Sequence, residues 1–159
     1  MVNEMSNKVR VGERLLLTLW VGSLWAIGYV AVPIVFFTLD DRHLAGNVAI
    51  NMFDAVRLIS LVCGGALLID LLFSTQSVPW RRNWRIWAVL VMLFLIAVSQ
   101  FILQPLMESI RAGGIVEGTK TAKQFGQLHG VASILYLITS LLGLMLVVFG
   151  LRRPPASSL

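Results

Sequence analysis

Polar side chains recur at helical spacing in a chain that is otherwise mostly apolar. Gln100, Gln104, Glu108 and Arg111 follow one another at steps of four, four and three residues, and His129, Ser133, Tyr136 and Ser140 at steps of four, three and four. Steps of three and four place each set on one face of a helix. Asp54 and Arg57 are three apart and close enough to pair on a helix of their own. Amides, carboxylates and an imidazole that converge in an apolar medium can solvate a small polar or cationic solute. Asp54 and Glu108 would hold cation charge, and the glutamines would replace water. His129 would add a pH switch, because imidazole is the side chain whose ordinary titration falls near neutrality. The candidate ligand-binding residues are therefore His129, Gln104, Glu108, Gln100, Asp54 and Arg57.

Other chemistries have weaker sequence support. His129, His43 and Met107 offer the imidazole and thioether ligands that suit copper, with Met52 nearby. No His-x-x-x-His pair exists, however, and methionines in so apolar a chain are expected as packing residues. Haem would use His129 as an axial ligand, alone or with His43. General acid/base work would pair His129 with Glu108 or Asp54. The chain has no Walker loop, G-x-G-x-x-G, G-x-S-x-G or H-E-x-x-H motif. No catalytic set emerges, and the leading expectation is a non-enzymatic protein that binds or passes a solute or metal ion. A structural or accessory subunit of a larger membrane complex is the alternative, and a haem- or lipid-pathway membrane enzyme the second alternative.

The elements that position these residues follow from composition. The 159 residues are 57% hydrophobic and only 13% charged, against about 25% charged in ordinary soluble domains. That excludes a water-soluble globule and intrinsic disorder. Each bilayer crossing needs about 20 apolar residues, so the length allows about four. Four apolar stretches are visible, at about 15–37, 56–73, 86–107 and 131–151. All should be helices, since an open strand in lipid leaves its backbone unpaired. The fold class expected is all-α, an integral membrane antiparallel four-helix bundle. Residues 44–55, with Leu44, Val48 and Met52 at four-residue steps, form either an interfacial helix or an extension of the second span. The first apolar stretch exceeds the 7 to 15 residues of a signal-peptide core and reads as a retained span. Cys63 is the single cysteine, so no disulfide forms within one chain.

Lys8, Arg10, Arg14, Arg81, Arg82, Arg85, Arg152 and Arg153 fall on one side of this topology. Only Arg42, Arg57, Arg111, Lys120 and Lys123 fall on the other. The positive-inside rule then puts both termini, segment 1–14 and tail 152–159, in the cytoplasm of a bacterial inner membrane. The net charge of +5 becomes an orientation charge facing anionic lipid, not a nucleic-acid footprint. Trp80, Trp84 and Trp87 fit an inner interfacial belt. Asp70 lies near the inner end of the second span, within reach of Arg81, Arg82 or Arg85. The candidate ligand residues all map to the outer half, together with His43 and Pro33. Pro105 and Pro33 should free carbonyls one turn earlier, near Phe101 and Ile102 and near Tyr29 and Val30. An outward-opening polar pocket is the geometry expected, with a homodimer or larger complex as the possible assembly.

Short motifs add a family likeness. Leu-Trp-Val-Gly-Ser (19–23), Ala-Val-Pro-Ile-Val-Phe (31–36), Ala-Gly (45–46), Gln104-Pro105 and Phe-Gly-Gln-Leu-His-Gly (125–130) together resemble the bacterial domain-of-unknown-function 4149 family. That family is similar to the eukaryotic transmembrane protein 205. The resemblance implies a four-span inner-membrane protein and carries over by position only His129 and Gln104-Pro105. In span number and polar outer ends the chain is also distantly similar to copper-resistance protein D and HemJ-type proteins. It departs from them in lacking further intramembrane histidines.

Overall fold

A computed structural model describes residues 2–74, 83–114 and 120–150, the side chains of 2–10 and 74 excepted. Helix α1 (Val2–Trp25) passes through a π-helical turn (Ala26–Ala31) into α2 (Val32–Thr38), which completes the first span. Asp41 then starts α3 (Arg42–Ser74): its Oδ1 accepts the backbone N–H groups of His43 at 2.8 Å and Leu44 at 3.3 Å, the usual way an aspartate caps a helix N-terminus. The third span begins with α4 (Trp84–Val98), capped by Asn83, whose side chain accepts the Arg85 N–H at 3.2 Å. It continues through a second π turn (Ser99–Leu103) into α5 (Gln104–Ala112). Gly114, at φ +80°, ends the described part of that loop in a conformation that glycine adopts without strain. The fourth span is α6 (Lys120–Gly150).

Both π turns stand immediately before a proline that occupies the first or second position of the next helix, Pro33 in α2 and Pro105 in α5. A proline has no N–H, and its ring clashes with the carbonyl four residues back. The helix widens to accommodate it. Val32 N–H bonds to Ile27 O, and Gln104 N–H to Ser99 O, each five residues back. Each span therefore passes its proline by local widening, not by a break.

Four helical segments are long and apolar enough to cross a membrane: Val11–Thr38, Arg42–Phe73, Trp84–Ala112 and Lys120–Gly150. The molecule is a multi-pass membrane protein built as a four-helix bundle, and the described residues contain no strand. Residues 44–55 are not a separate interfacial helix; they extend the second span. At 33 residues, α3 is about 50 Å long, well beyond a 30 Å hydrocarbon core. Trp80, Arg81, Arg82, Glu117 and the tail 152–159 lie outside the described residues.

We call the end bearing Glu13 and Gly150 proximal and the opposite end, bearing Asp41 and Arg111, distal. The core belongs to the proximal two thirds. Leu17, Trp20 and Leu24 of α1 pack there with Cys63, Leu67 and Leu71 of α3, Ile86, Val89 and Met92 of α4, and Leu146 of α6. Gly64 makes that packing possible, since a Cβ there would lie 2.8 Å from both the Trp20 ring and Leu93 Cδ2. Glu13 and Arg85 form an ion pair at the proximal end, buried between α1 and α4. The distal half differs. α2, α5 and both the Ala26–Ala31 turn and the stretch of α6 from Lys120 to Ile138 bury no residue, whereas α6 buries Thr139, Ser140, Gly143, Leu146 and Gly150 beyond that point.

Candidate functional site at the distal end

The floor of the distal half is an aromatic, hydrogen-bonded layer. Trp25 and Tyr29 rings stand 4.9 Å apart, Tyr29 and Tyr136 6.0 Å, and Phe53 and Tyr136 5.3 Å edge to face. Tyr136 donates to the Leu24 carbonyl at 2.6 Å, and Trp25 Nε1 donates to the Ser140 carbonyl at 3.3 Å. The Ser140 hydroxyl donates to the Leu137 carbonyl at 2.9 Å, so Tyr29, 2.6 Å from Ser140 Oγ, is the donor of that second bond. These bonds lock α6 to the first span at its π turn. Gly28 is what lets them form: a Cβ at that position would overlap the Tyr136 ring.

The rim is built around Arg111. Its Nη1 reaches Asn47 Oδ1 of α3 at 3.4 Å, and its Cζ lies 5.8 Å from the centroid of the Phe125 ring of α6. Phe125 in turn stacks with His129, one helical turn on, at 6.3 Å and 9°. Arg111 thus connects three helices. Gly46 permits the approach, since Arg111 Nη2 would stand only 3.3 Å from a Cβ there.

Rim contact fixes depth along the walls. α3 and α5 run in opposite directions, and Arg111 meets Asn47 at the mouth. Seven residues deeper on each, about 10 Å and two turns on the same face, lie Gln104 and Asp54. His129 stands as far above Tyr136 along α6. Gln104 therefore lies about 10 Å below the rim on α5, and Asp54 stands beside Phe53, whose ring meets Tyr136 in the floor.

The sequence-derived candidates separate on inspection. Asp54 and Arg57 do pair, at 3.4 Å, half exposed. Gln100 and Gln104 are half-buried, and among the described residues neither amide has a hydrogen-bond partner. Glu108 and His129 are exposed, and Glu108 does not pair with Arg111 one turn away. The expected continuous stripe on α6 splits in two: Tyr136 and Ser140 turn to the first span, while Ser133 bonds its own helix at the His129 carbonyl. His43 belongs to the first turn of α3 and Met107 to α5; no hydrogen bond, ion pair or ring contact joins either to His129 among the described residues. No three His, Cys, Asp or Glu side chains gather into a potential metal site among them either.

Sequence reading left Arg111 out of the binding set and passed over Asn47, Trp25 and Tyr29. Gly46 beside Asn47, and Gly28 beside Tyr29, which make room for Arg111 and Tyr136, were the available signal. Arg85 pairs with Glu13, which sequence reading placed in a cytoplasmic segment.

A family model described as a domain of unknown function, DUF4149, matches residues 15–115. The chain belongs to the DUF4149 family. The matched region contains Gly28, Gly46, Asn47, both π turns, Gln104 and Arg111; Phe125, His129 and Tyr136 lie beyond its end. The DUF4149 region thus supplies three of the four helices and the arginine that reaches the fourth. No curated protein and no solved structure matches the chain.

Proposed function

We propose that this DUF4149 protein lies in a bacterial cytoplasmic membrane with both termini inside, and that its distal half binds, or passes, a small polar solute from the outer face. The observation that carries the reading is the contrast along the bundle. Below the Tyr29–Tyr136 layer the helices close on an apolar core; above it α2, α5 and the distal stretch of α6 bury nothing, and the second π turn buries only Leu103. Two half-buried amides without protein partners stand in that distal stretch. An amide removed from water and left unpaired costs about 1 to 3 kcal/mol, so water or a solute belongs there. Orientation follows from the excess of arginine and lysine at the proximal side.

A polar solute is better supported than a bare cation, because Asp54 is already met by Arg57 and, among the described residues of these walls, Glu108 alone is left as a carboxylate without an ion pair. Passage, as distinct from binding, would require a second copy, since four spans are few to surround a pathway. Gln104, Gln100, Asp54 and His129 would line the site, with Glu108 and Arg57 at its margin.

The test uses thermal unfolding of the full chain in detergent against amino acids, sugars, polyamines and divalent copper or zinc salts. At a hundredfold excess over Kd, a ligand of the folded state adds about 2.7 kcal/mol. At least one class should stabilise the native chain and fail to stabilise His129→Ala or Gln104→Leu, whose unliganded stability stays near the native value. Loss of stability in both variants with no compound active would instead favour helix-to-helix glue in an accessory subunit.

A further inference from the structure

Arg111 is held in place by groups that do not neutralise it. Asn47 accepts one N–H at 3.4 Å, Phe125 lies 5.8 Å from the guanidinium carbon, and Gly46 leaves room for Nη2 against α3. A guanidinium has five N–H donors in a planar fork. Among the described residues the protein uses one of them, and no carboxylate pairs with the group although Glu108 lies one turn away on the same helix. Asn47, its oxygen committed to Arg111, keeps its amide N–H groups as donors. A half-buried, positioned cation beside spare donors is complementary to a planar or tetrahedral oxyanion, which takes two N–H bonds side by side.

We propose that Arg111, with Asn47, is an oxyanion-recognition site at the mouth of the distal half, and that the group it takes is a carboxylate or phosphate. The inference rests on the polar-solute reading above and narrows it to solutes that carry such a group. The same chemistry is presented by a phospholipid headgroup, and the test separates the two sources.

Full-length protein in detergent is titrated with inorganic phosphate and with succinate, each against potassium chloride at matched ionic strength, following unfolding temperature. In parallel, native mass spectrometry counts phosphatidylglycerol retained after delipidation. A soluble ligand gives saturable stabilisation by phosphate or succinate; a headgroup site gives retained phosphatidylglycerol without it. In either arm Arg111→Gln weakens the effect at least about tenfold, the loss of one charge-assisted bond, and Arg111→Lys, which keeps charge but not the fork, weakens it less. Asn47→Leu supplies the same comparison if Arg111→Gln does not fold. Equal responses in native protein and variants, or none in either arm, overturn the proposal. Stabilisation by a neutral compound that depends on Gln104 but not on Arg111 overturns it while leaving the polar-solute reading standing.

Discussion

At the scale of single residues, the buried ion pair and the buried hydroxyl bonds carry different weights. Glu13, 7% exposed, has Arg85 as its cation. Removing one member of a buried pair costs about 3 to 5 kcal/mol, because the remaining charge stays out of water, whereas replacing both by apolar groups of similar size is close to neutral. Arg85→Met is therefore expected to destabilise by about that amount, and the double variant Glu13→Leu with Arg85→Met to recover most of it, as read by unfolding in a denaturing detergent. Such non-additivity would be absent if the two residues acted separately. The Tyr136 hydroxyl is a smaller matter. Interhelical hydrogen bonds in membranes average about 0.6 kcal/mol and reach about 1.7, so Tyr136→Phe should cost no more than that. Neither effect was readable from sequence spacing: Glu13 and Arg85 come from different spans, and Tyr136 and Leu24 from the fourth and the first.

At the scale of elements, the π turns and the glycine opposite Tyr136 act together. Tyr136 reaches the Leu24 carbonyl just before the first turn, and Gly28 within that turn gives the ring its space. Gly28→Ala must displace that ring, at about 1 to 3 kcal/mol for overpacking. It should therefore exceed Tyr136→Phe in the same unfolding measurement, and Gly28→Ala in a Tyr136→Ala background should cost little. The four helices were legible from apolar stretches because lipid allows no other spanning structure here. Their limits were less legible. α3 begins at Arg42, not at 56, because the Asp41 cap fixes its start and a polar turn does not end a helix that Ala45 and Ala49 bury. Prolines were visible in sequence, but widening in place of breaking depends on what packs across from them.

At the scale of the whole molecule, the bundle is a closed proximal part under a loosely packed distal part, tied at opposite ends by Arg85 and Arg111 of the third span. Helical periodicity correctly grouped Gln100, Gln104 and Arg111 on one helix and His129 and Tyr136 on another. It could not say which turn of a face meets which neighbour, and so it ran the α6 stripe straight past the level at which Tyr136 turns to the first span. The central claim is that the Gln104 level is wet and opens to the outside. In a Cys63→Ser background, Gln104→Cys is compared with Ile102→Cys, two residues away on the other side of the helix and 54% exposed on its lipid-facing surface. A charged, membrane-impermeant methanethiosulfonate applied outside intact cells reacts with thiolate in water and not with a thiol in lipid. Gln104→Cys should be labelled at least about tenfold faster than Ile102→Cys, a difference equivalent to about 1.4 kcal/mol. Equal slow labelling at both positions, or labelling of Gln104→Cys only from the cytoplasmic side of inverted vesicles, would contradict it.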